Sequence, residues 1–315
     1  MDFNKILSSI LICPVSFNKT SGKEENCPTK ITKNKIYFTG NNYNIIKGVP
    51  DLRMPEDRKY TSYDTILTDW SIPNPEIDKN LLKKNIDAAG LNESDIRDKI
   101  ILLAGIGSGT DINFFLKLKP KFIVALDFSN YLILLSKIKY YKNKPVFFIM
   151  GDLCNIPFKT ETFDYVFSGG VIHHTRTPEL AHRNLWRVIK TKGFLNYSHI
   201  YLENLHNRRV TLDRLFYNLH NKNINYAKFF LRIYSLIYFI LIKARILKLI
   251  NRQSWRFPFL IELNGNANAR EYYTAAIDYY LPRYRHMIKE EDVFDWFVKC
   301  GGIAKRTPKG FISQK

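Results

Sequence analysis

Three hydrophobic patterns follow one another along the chain. Up to residue 60, short apolar runs are cut by Pro, Gly and Asn and end in Tyr43-Asn44-Ile45-Ile46-Lys47-Gly48-Val49-Pro50-Asp51-Leu52-Arg53, which predicts a small loop-rich β module. Residues 61–98, where Trp70, Pro73 and Pro75 precede an amphipathic run from Ile77 to Ala89, read as a linker and a helix. From Lys99 the pattern becomes regular. Ile100–Leu103, Phe122–Leu126 and Val146–Ile149 are short continuous apolar runs, and Phe163-Asp164-Tyr165-Val166-Phe167 and Phe194–His199 are the fourth and fifth strand candidates. Helical periods at Asp111–Leu118, Asn130–Tyr141 and Pro178–Ile189 lie between them. Continuous runs are what strands buried on both faces require, and their alternation with helices predicts a doubly wound α/β sheet.

Residues 205–280 break that rhythm as a helical insertion, with the apolar centre Ile233–Ile242. Ten such residues are fewer than the roughly 20 that cross a bilayer. The rhythm returns over 281–315, with a helix from Lys289 to Cys300, a Gly301-Gly302 stop and two short strands around Ile303 and Phe311.

Composition narrows the class. A chain of 315 residues with 45% hydrophobic and 14% aromatic content buries a substantial core, which excludes disorder and collagen-like repeats. Four cysteines make no disulfide framework, so a reducing compartment is expected. Ile6–Ile12 is short and runs into Cys13-Pro14 without a small-residue cleavage site, so the expected location is the cytoplasm. Cys13-Pro14-Val15-Ser16 and Cys27-Pro28-Thr29-Lys30 have the outline of two zinc knuckles, each lacking its second cysteine, with no histidine before His173. Four ligands cannot be assembled from these, so residues 1–60 read as a degenerate zinc-ribbon-like module without metal.

The net charge of +19 is informative only where it clusters. It does so at 205–256, which holds eleven Lys or Arg against one acidic residue, Asp213. A lid helix with solvated charges is one reading. An anionic membrane surface is another, and single-stranded RNA a third.

Gly105-Ile106-Gly107-Ser108-Gly109 follows the first buried strand, where glycines let backbone amides face a ligand. An ordinary tight turn or a dinucleotide site uses the same spacing. Asp127 ends the next strand 22 residues after Gly105, where a carboxylate can accept from two ribose hydroxyls. Gly151-Asp152-Leu153 follows the third strand, where the acid can accept from an adenine amino group and its neighbour can pack on the ring.

With Ile156-Pro157-Phe158, Phe163-Asp164-Tyr165-Val166-Phe167-Ser168, Gly170-Val171-Ile172-His173-His174-Thr175 and Arg187–Gly193, these motifs make residues 99–204 resemble the core of a class I S-adenosylmethionine-dependent methyltransferase of the type 11-like group. The resemblance implies a Rossmann-like α/β sheet, mostly parallel, of seven strands with one antiparallel strand near its edge. It implies S-adenosyl-L-methionine as cofactor, held by Gly105, Gly107, Gly109, Asp127, Phe128, Asp152, Leu153, Ser168 and Gly169, and no metal. It implies an in-line displacement, with His173 and His174 as the candidates for a base, His199 as a further one, and His286 and Tyr284 as candidates to line the acceptor site. Leu103 stands where the family usually has an acid, and Thr191-Lys192-Gly193 where Pro-Gly-Gly is common. The stretch Ala275–Tyr284 and the helix opening on Glu290-Glu291-Asp292 resemble methyltransferases of glycan and secondary-metabolite pathways, which favours a small-molecule or lipid- or glycan-linked acceptor. An RNA methyltransferase and a catalytically silent cofactor-binding scaffold at a membrane are the alternatives.

Overall fold

The computed structural model describes residues 3–14, 27–58, 64, 86–87, 90–202, 223–244 and 268–315. The expected linker helix at 77–89 falls almost wholly outside these residues, as do 203–222 and 245–267 of the insertion.

Seven strands form the main sheet: β5 (Ile100–Ala104), β6 (Phe122–Asp127), β7 (Val146–Met150), β8 (Phe163–Gly169), β9 (Ile189–Ser198), β10 (Lys305–Thr307) and β11 (Gly310–Gln314), in the order β10-β11-β9-β8-β5-β6-β7. Pairs from β9 to β7 are parallel, while β11 is antiparallel to both neighbours. This is a Rossmann-like, mostly parallel α/β sheet of seven strands with one antiparallel strand near its edge, as the sequence predicts. Strand alternation sends successive β5 residues to opposite faces. Leu102 and Ala104 join one apolar cluster with α1 (Phe3–Ile10), α4 (Pro178–Val188) and α7 (Glu290–Lys299), through Leu7, Leu185 and Phe297. Ile101 and Leu103 join the other, with α2 (Thr110–Lys117) and α3 (Tyr131–Leu135), through Phe115 and Leu132. Both faces are therefore covered, which is why the strands read as unbroken apolar runs.

Two elements differ from expectation. The helix expected over Asn130–Tyr141 is the short α3 plus a separate turn at Lys139–Tyr141, because Ile138 turns extended (φ −63°, ψ 123°) and packs its side chain on the core. The expected turn at Thr191–Gly193 is instead part of β9, with Lys192 in the left-handed region at φ 66°.

The N-terminal module is a four-stranded antiparallel sheet, β1 (Lys30–Ile31), β2 (Lys35–Phe38), β3 (Asn41–Ile46) and β4 (Val49–Pro50), in sequential order. Its Ile36, Phe38 and Tyr43 belong to the same cluster as Leu102 and Val124. Cys13 is wholly buried in that cluster, so it serves the core. Among the described residues no three His, Cys, Asp or Glu side chains gather as metal ligands, and the zinc-ribbon character is not seen. After β4 the chain runs along the edge of the large sheet: Asp51 bridges to Met150 in parallel, and the Leu52 N–H donates to the Met150 carbonyl at 2.8 Å. The open edge of β7 is thereby capped.

The apolar centre of the insertion is also longer than expected. It lies in a 20-residue helix, α5 (Ile224–Lys243), whose stretch Ile224–Leu241 has a mean hydropathy of 1.3 and is long and apolar enough to cross a membrane by length and composition. Ala227 and Leu231 of α5 pack on Tyr273, Ala276 and Ile277 of α6 (Ala269–Tyr280).

Candidate functional site

A cleft of about 360 Å³ opens at the carboxyl ends of β5, β6, β7 and β8, where the loops of a doubly wound sheet converge. One wall is the glycine turn. Gly105 has φ 80°, and a Cβ there would come within 2.4 Å of the Val171 side chain, so both conformation and space demand glycine. Gly107, at φ 50°, also lines the cleft. Asp127, from the end of β6, holds this turn from below: Oδ2 accepts the amides of Ile106 (2.8 Å) and Gly107 (3.1 Å), and Oδ1 accepts that of Ser129 (2.9 Å). Burial raises its carboxyl pKa, opposed by those amides. Phe128, Asp152, Leu153 and Gly169 complete this side. Asp152 Oδ1 accepts the Cys154 N–H at 2.8 Å, and Arg176 donates to Oδ2 at 3.3 Å. Burial raises the Asp152 carboxyl as well, with the Cys154 amide and Arg176 opposing it.

Three residues of the N-terminal segment reach this wall, and sequence reasoning missed all of them. Arg53 is buried and donates to Asp51 through Nε (2.8 Å) and Nη2 (2.9 Å), to the Phe128 carbonyl at 2.8 Å and to Asn130 Oδ1 at 2.8 Å. Its planar fork thus ties the end of the small sheet to the loop after Asp127. Asp57 lines the cleft, and its buried Oδ2 has no hydrogen-bond partner among the described residues. Asp64 accepts from Ser129 Oγ at 2.6 Å and from the Asn130 amide. The one signal in the sequence was the unbroken Pro50-Asp51-Leu52-Arg53, which does not say what the arginine meets 75 residues away.

The opposite wall carries Val171, His174, Thr175, Asp278, Arg283 and Tyr284. His174 Nδ1–H donates to the Tyr284 carbonyl at 3.0 Å, which leaves Nε2 as the basic nitrogen. Burial lowers its pKa from 6.5 to about 4, so the ring is neutral at physiological pH. Asp278, from α6, is pushed up to about 6 by burial, and Tyr201 donates to its Oδ2 at 3.4 Å. The sequence singled out Asp278 only as part of a looser resemblance; a half-buried carboxylate facing a cleft is what distinguishes it here.

Several expected site residues lie elsewhere. His173 is fully buried outside the cleft: it stacks on Tyr201 with centroids 3.9 Å apart and accepts the Tyr201 N–H at Nδ1, so it packs the wall that His174 presents. Gly109 caps α2 at φ 93°, its Cα side facing Leu135, and Ser168 is buried within β8 behind Gly169. His199 bonds Ser198 Oγ at 3.1 Å, and His286 Nε2 donates to the Thr175 carbonyl at 3.1 Å; neither lines the cleft, whereas Tyr284 does. Leu103 is buried in the core, so the polar contact usual at that position is absent.

Residues 102–196, the strands and turns that build the glycine and aspartate wall, match the model of a family described as a methyltransferase domain. The match covers about a third of the chain. A malonyl-[acyl-carrier protein] O-methyltransferase of Marinomonas is 25% identical to the chain over 143 residues, which are 45% of this chain and 48% of that protein. The chain thus spans about half the length of this curated relative. Among solved structures, a protein of Bacillus halodurans assigned as a methyltransferase is 17% identical, with a TM-score of 0.41, over 71% of this chain and 70% of its own. An S-adenosylmethionine-dependent methyltransferase from Mesorhizobium loti is 17% identical, with a TM-score of 0.34, over 38% of this chain and 53% of its own.

The donor set of the cleft fits S-adenosylmethionine, the cofactor that the sequence motifs imply. Asp127 offers carboxylate oxygens where ribose hydroxyls can donate, and Asp152 does so where an adenine amino group can. The buried Asp57 Oδ2, unpartnered among the described residues, adds a third acceptor on that wall. Three carboxylates on one wall also suit a ligand that carries positive charge.

Proposed function

We propose that the protein is an S-adenosylmethionine-dependent methyltransferase acting on a small-molecule or carrier-linked acceptor. The observation that carries this reading is the division of one cleft: the glycine turn, Asp127 and Asp152 on one wall, His174 and Asp278 on the other. The cofactor supplies an electrophilic sulfonium methyl. The chain's own task is then to hold an acceptor atom in line with it and, where that atom is a hydroxyl, to take its proton.

Two groups on the acceptor wall suit proton removal. The neutral His174 offers Nε2, its ring fixed by the Tyr284 carbonyl. Asp278, held by Tyr201, is ionised above about pH 6 and close enough to neutrality to exchange a proton. Arg283, on the same wall, can hold an acidic group of the acceptor. The relative from Marinomonas, named for O-methylation of a malonyl group on a carrier protein, supports a carrier-linked acceptor.

The test is transfer of labelled methyl from S-adenosylmethionine into fractionated extract, with small metabolites, lipids and carrier proteins counted separately. Label is expected in one of these fractions and lost in Asp278→Asn. Binding is read independently as thermal stabilisation by S-adenosylhomocysteine, weakened in Asp127→Ala. Absence of both stabilisation and label would refute the proposal.

A further inference from the structure

Opposite the face that packs on α6, helix α5 leaves a continuous apolar stripe in solvent. Phe229, Phe230, Ile233, Leu236, Ile237 and Ile240 are each 42–59% exposed. Their spacing of three and four residues puts them on an arc of roughly 120°. Scattered exposed hydrophobics need no explanation, but a stripe running along most of a 20-residue helix does. Lys228, Arg232 and Lys243 fall beside this arc, between it and the packed face, and none of the residues 224–243 is acidic. The flanking sequence repeats the charge: residues 205–256 hold eleven Lys or Arg and one Asp.

We infer that this face of α5 docks on an anionic membrane surface, with the helix lying in the plane of the headgroups. The charge selects the partner. An apolar stripe bordered by basic residues buries its rings in the acyl boundary while the basic heads reach phosphate oxygens. Length and hydropathy alone would also permit a crossing, but Ala227, Leu231 and Ser235 are fully buried and α5 is packed on α6. A helix anchored along one side to a folded layer lies on the bilayer. Asp278 of α6 lines the cleft, so a docked α5 would hold the acceptor wall close to the membrane, where a lipid-linked acceptor would enter. The inference stands on the helix and its charge and does not depend on the activity.

Flotation of the full chain with vesicles tests it. The chain is expected to float with phosphatidylcholine vesicles containing phosphatidylglycerol, to stay behind with pure phosphatidylcholine, and to be released by salt. Lys228→Gln, Arg232→Gln and Lys243→Gln together are expected to lower the partition coefficient about 100-fold. Phe230→Ser with Ile233→Ser and Ile237→Ser should abolish flotation, while S-adenosylhomocysteine stabilises this variant as it does the parent, showing that the fold is retained. No flotation at low salt would overturn the proposal. So would a concentration-dependent dimer in sedimentation that the serine variant dissolves, or retention of RNA in place of vesicles.

Discussion

Arg53 joins the N-terminal sheet to the cofactor wall, and replacing it tests whether the two act as one unit. The guanidinium is 2% exposed and makes four hydrogen bonds, two of them to Asp51. In Arg53→Gln the Asp51 carboxylate, itself 2% exposed, retains Arg58, whose Nε is 3.4 Å away on a side chain 30% exposed. Removing one partner of a buried ion pair costs about 3–5 kcal/mol, and a partly solvated neighbour offsets some of that, so about 2–4 kcal/mol is expected. At roughly 2–4 °C per kcal/mol, Tm should fall by about 4–16 °C. Much of the cost is the orphaned charge, so Asp51→Asn combined with Arg53→Gln should be more stable than additivity predicts, with a coupling of about 2 kcal/mol. Loss of the bond to the Phe128 carbonyl should also reduce the stabilisation given by S-adenosylhomocysteine. Urea denaturation of the four-member cycle, with thermal shift with and without ligand, measures both effects. An Arg53→Gln variant within about 0.5 kcal/mol of the parent, as for an ordinary surface substitution, or one that responds fully to ligand, would refute the coupling.

Other outcomes follow from the same structure. Asp278→Asn should lower methyl transfer to a hydroxyl acceptor about 100-fold or more and remove the fall in rate as pH drops through about 6. It should also raise stability at pH 8, by up to about 3 kcal/mol, because burial opposes the carboxylate charge; a variant that gains neither stability nor a rate defect rules out the poised carboxylate. His182 is buried, bonds Tyr197 through Nδ1, and is lowered by burial from 6.5 to about 3. The unfolded chain binds its proton below pH 6.5 while the folded chain refuses it until about pH 3, so stability is lost as pH falls through that window, about 2 kcal/mol of it by pH 5. Denaturation against pH should therefore show a shallower acid slope in His182→Gln, and an unchanged slope would refute this assignment. Gly105→Ala, at φ 80° and 2.4 Å from Val171, should cost about 1–3 kcal/mol and abolish the thermal shift with S-adenosylhomocysteine; an unaltered shift would show that the turn can relax.

What the sequence revealed, and what it did not, follows the range of the interactions. The central strands of the large sheet announce themselves because both faces are buried, and Asp127 and Asp152 could be found because one ends such a strand and the other closely follows one. The two adjacent histidines were inseparable in sequence. Only the packing of Tyr201 decides that His173 stacks inward and His174 faces the cleft. Arg53, Asp57 and Asp278 lie 74, 70 and 151 residues from Asp127, and no periodicity encodes pairings of that reach. The extent of α5 was underestimated because Tyr226, Phe229 and Phe230 were counted apart from the apolar centre, although helical spacing joins them.

The strand-like run from Asp51 to Leu52 also sets a timetable. Its partner, Met150, is made about 100 residues later. At about 5–20 residues per second of synthesis, the N-terminal sheet waits at least roughly 5–20 s for the edge it caps. During that interval the cluster that Ile36, Phe38 and Tyr43 join is incomplete, since its members from Leu153 to Phe311 are still to be made. When β7 does emerge, a completed surface is already there to receive it. The first part of the chain to be made thus waits for a strand made later, and then guards an edge of the sheet that would otherwise be open to pairing with another molecule.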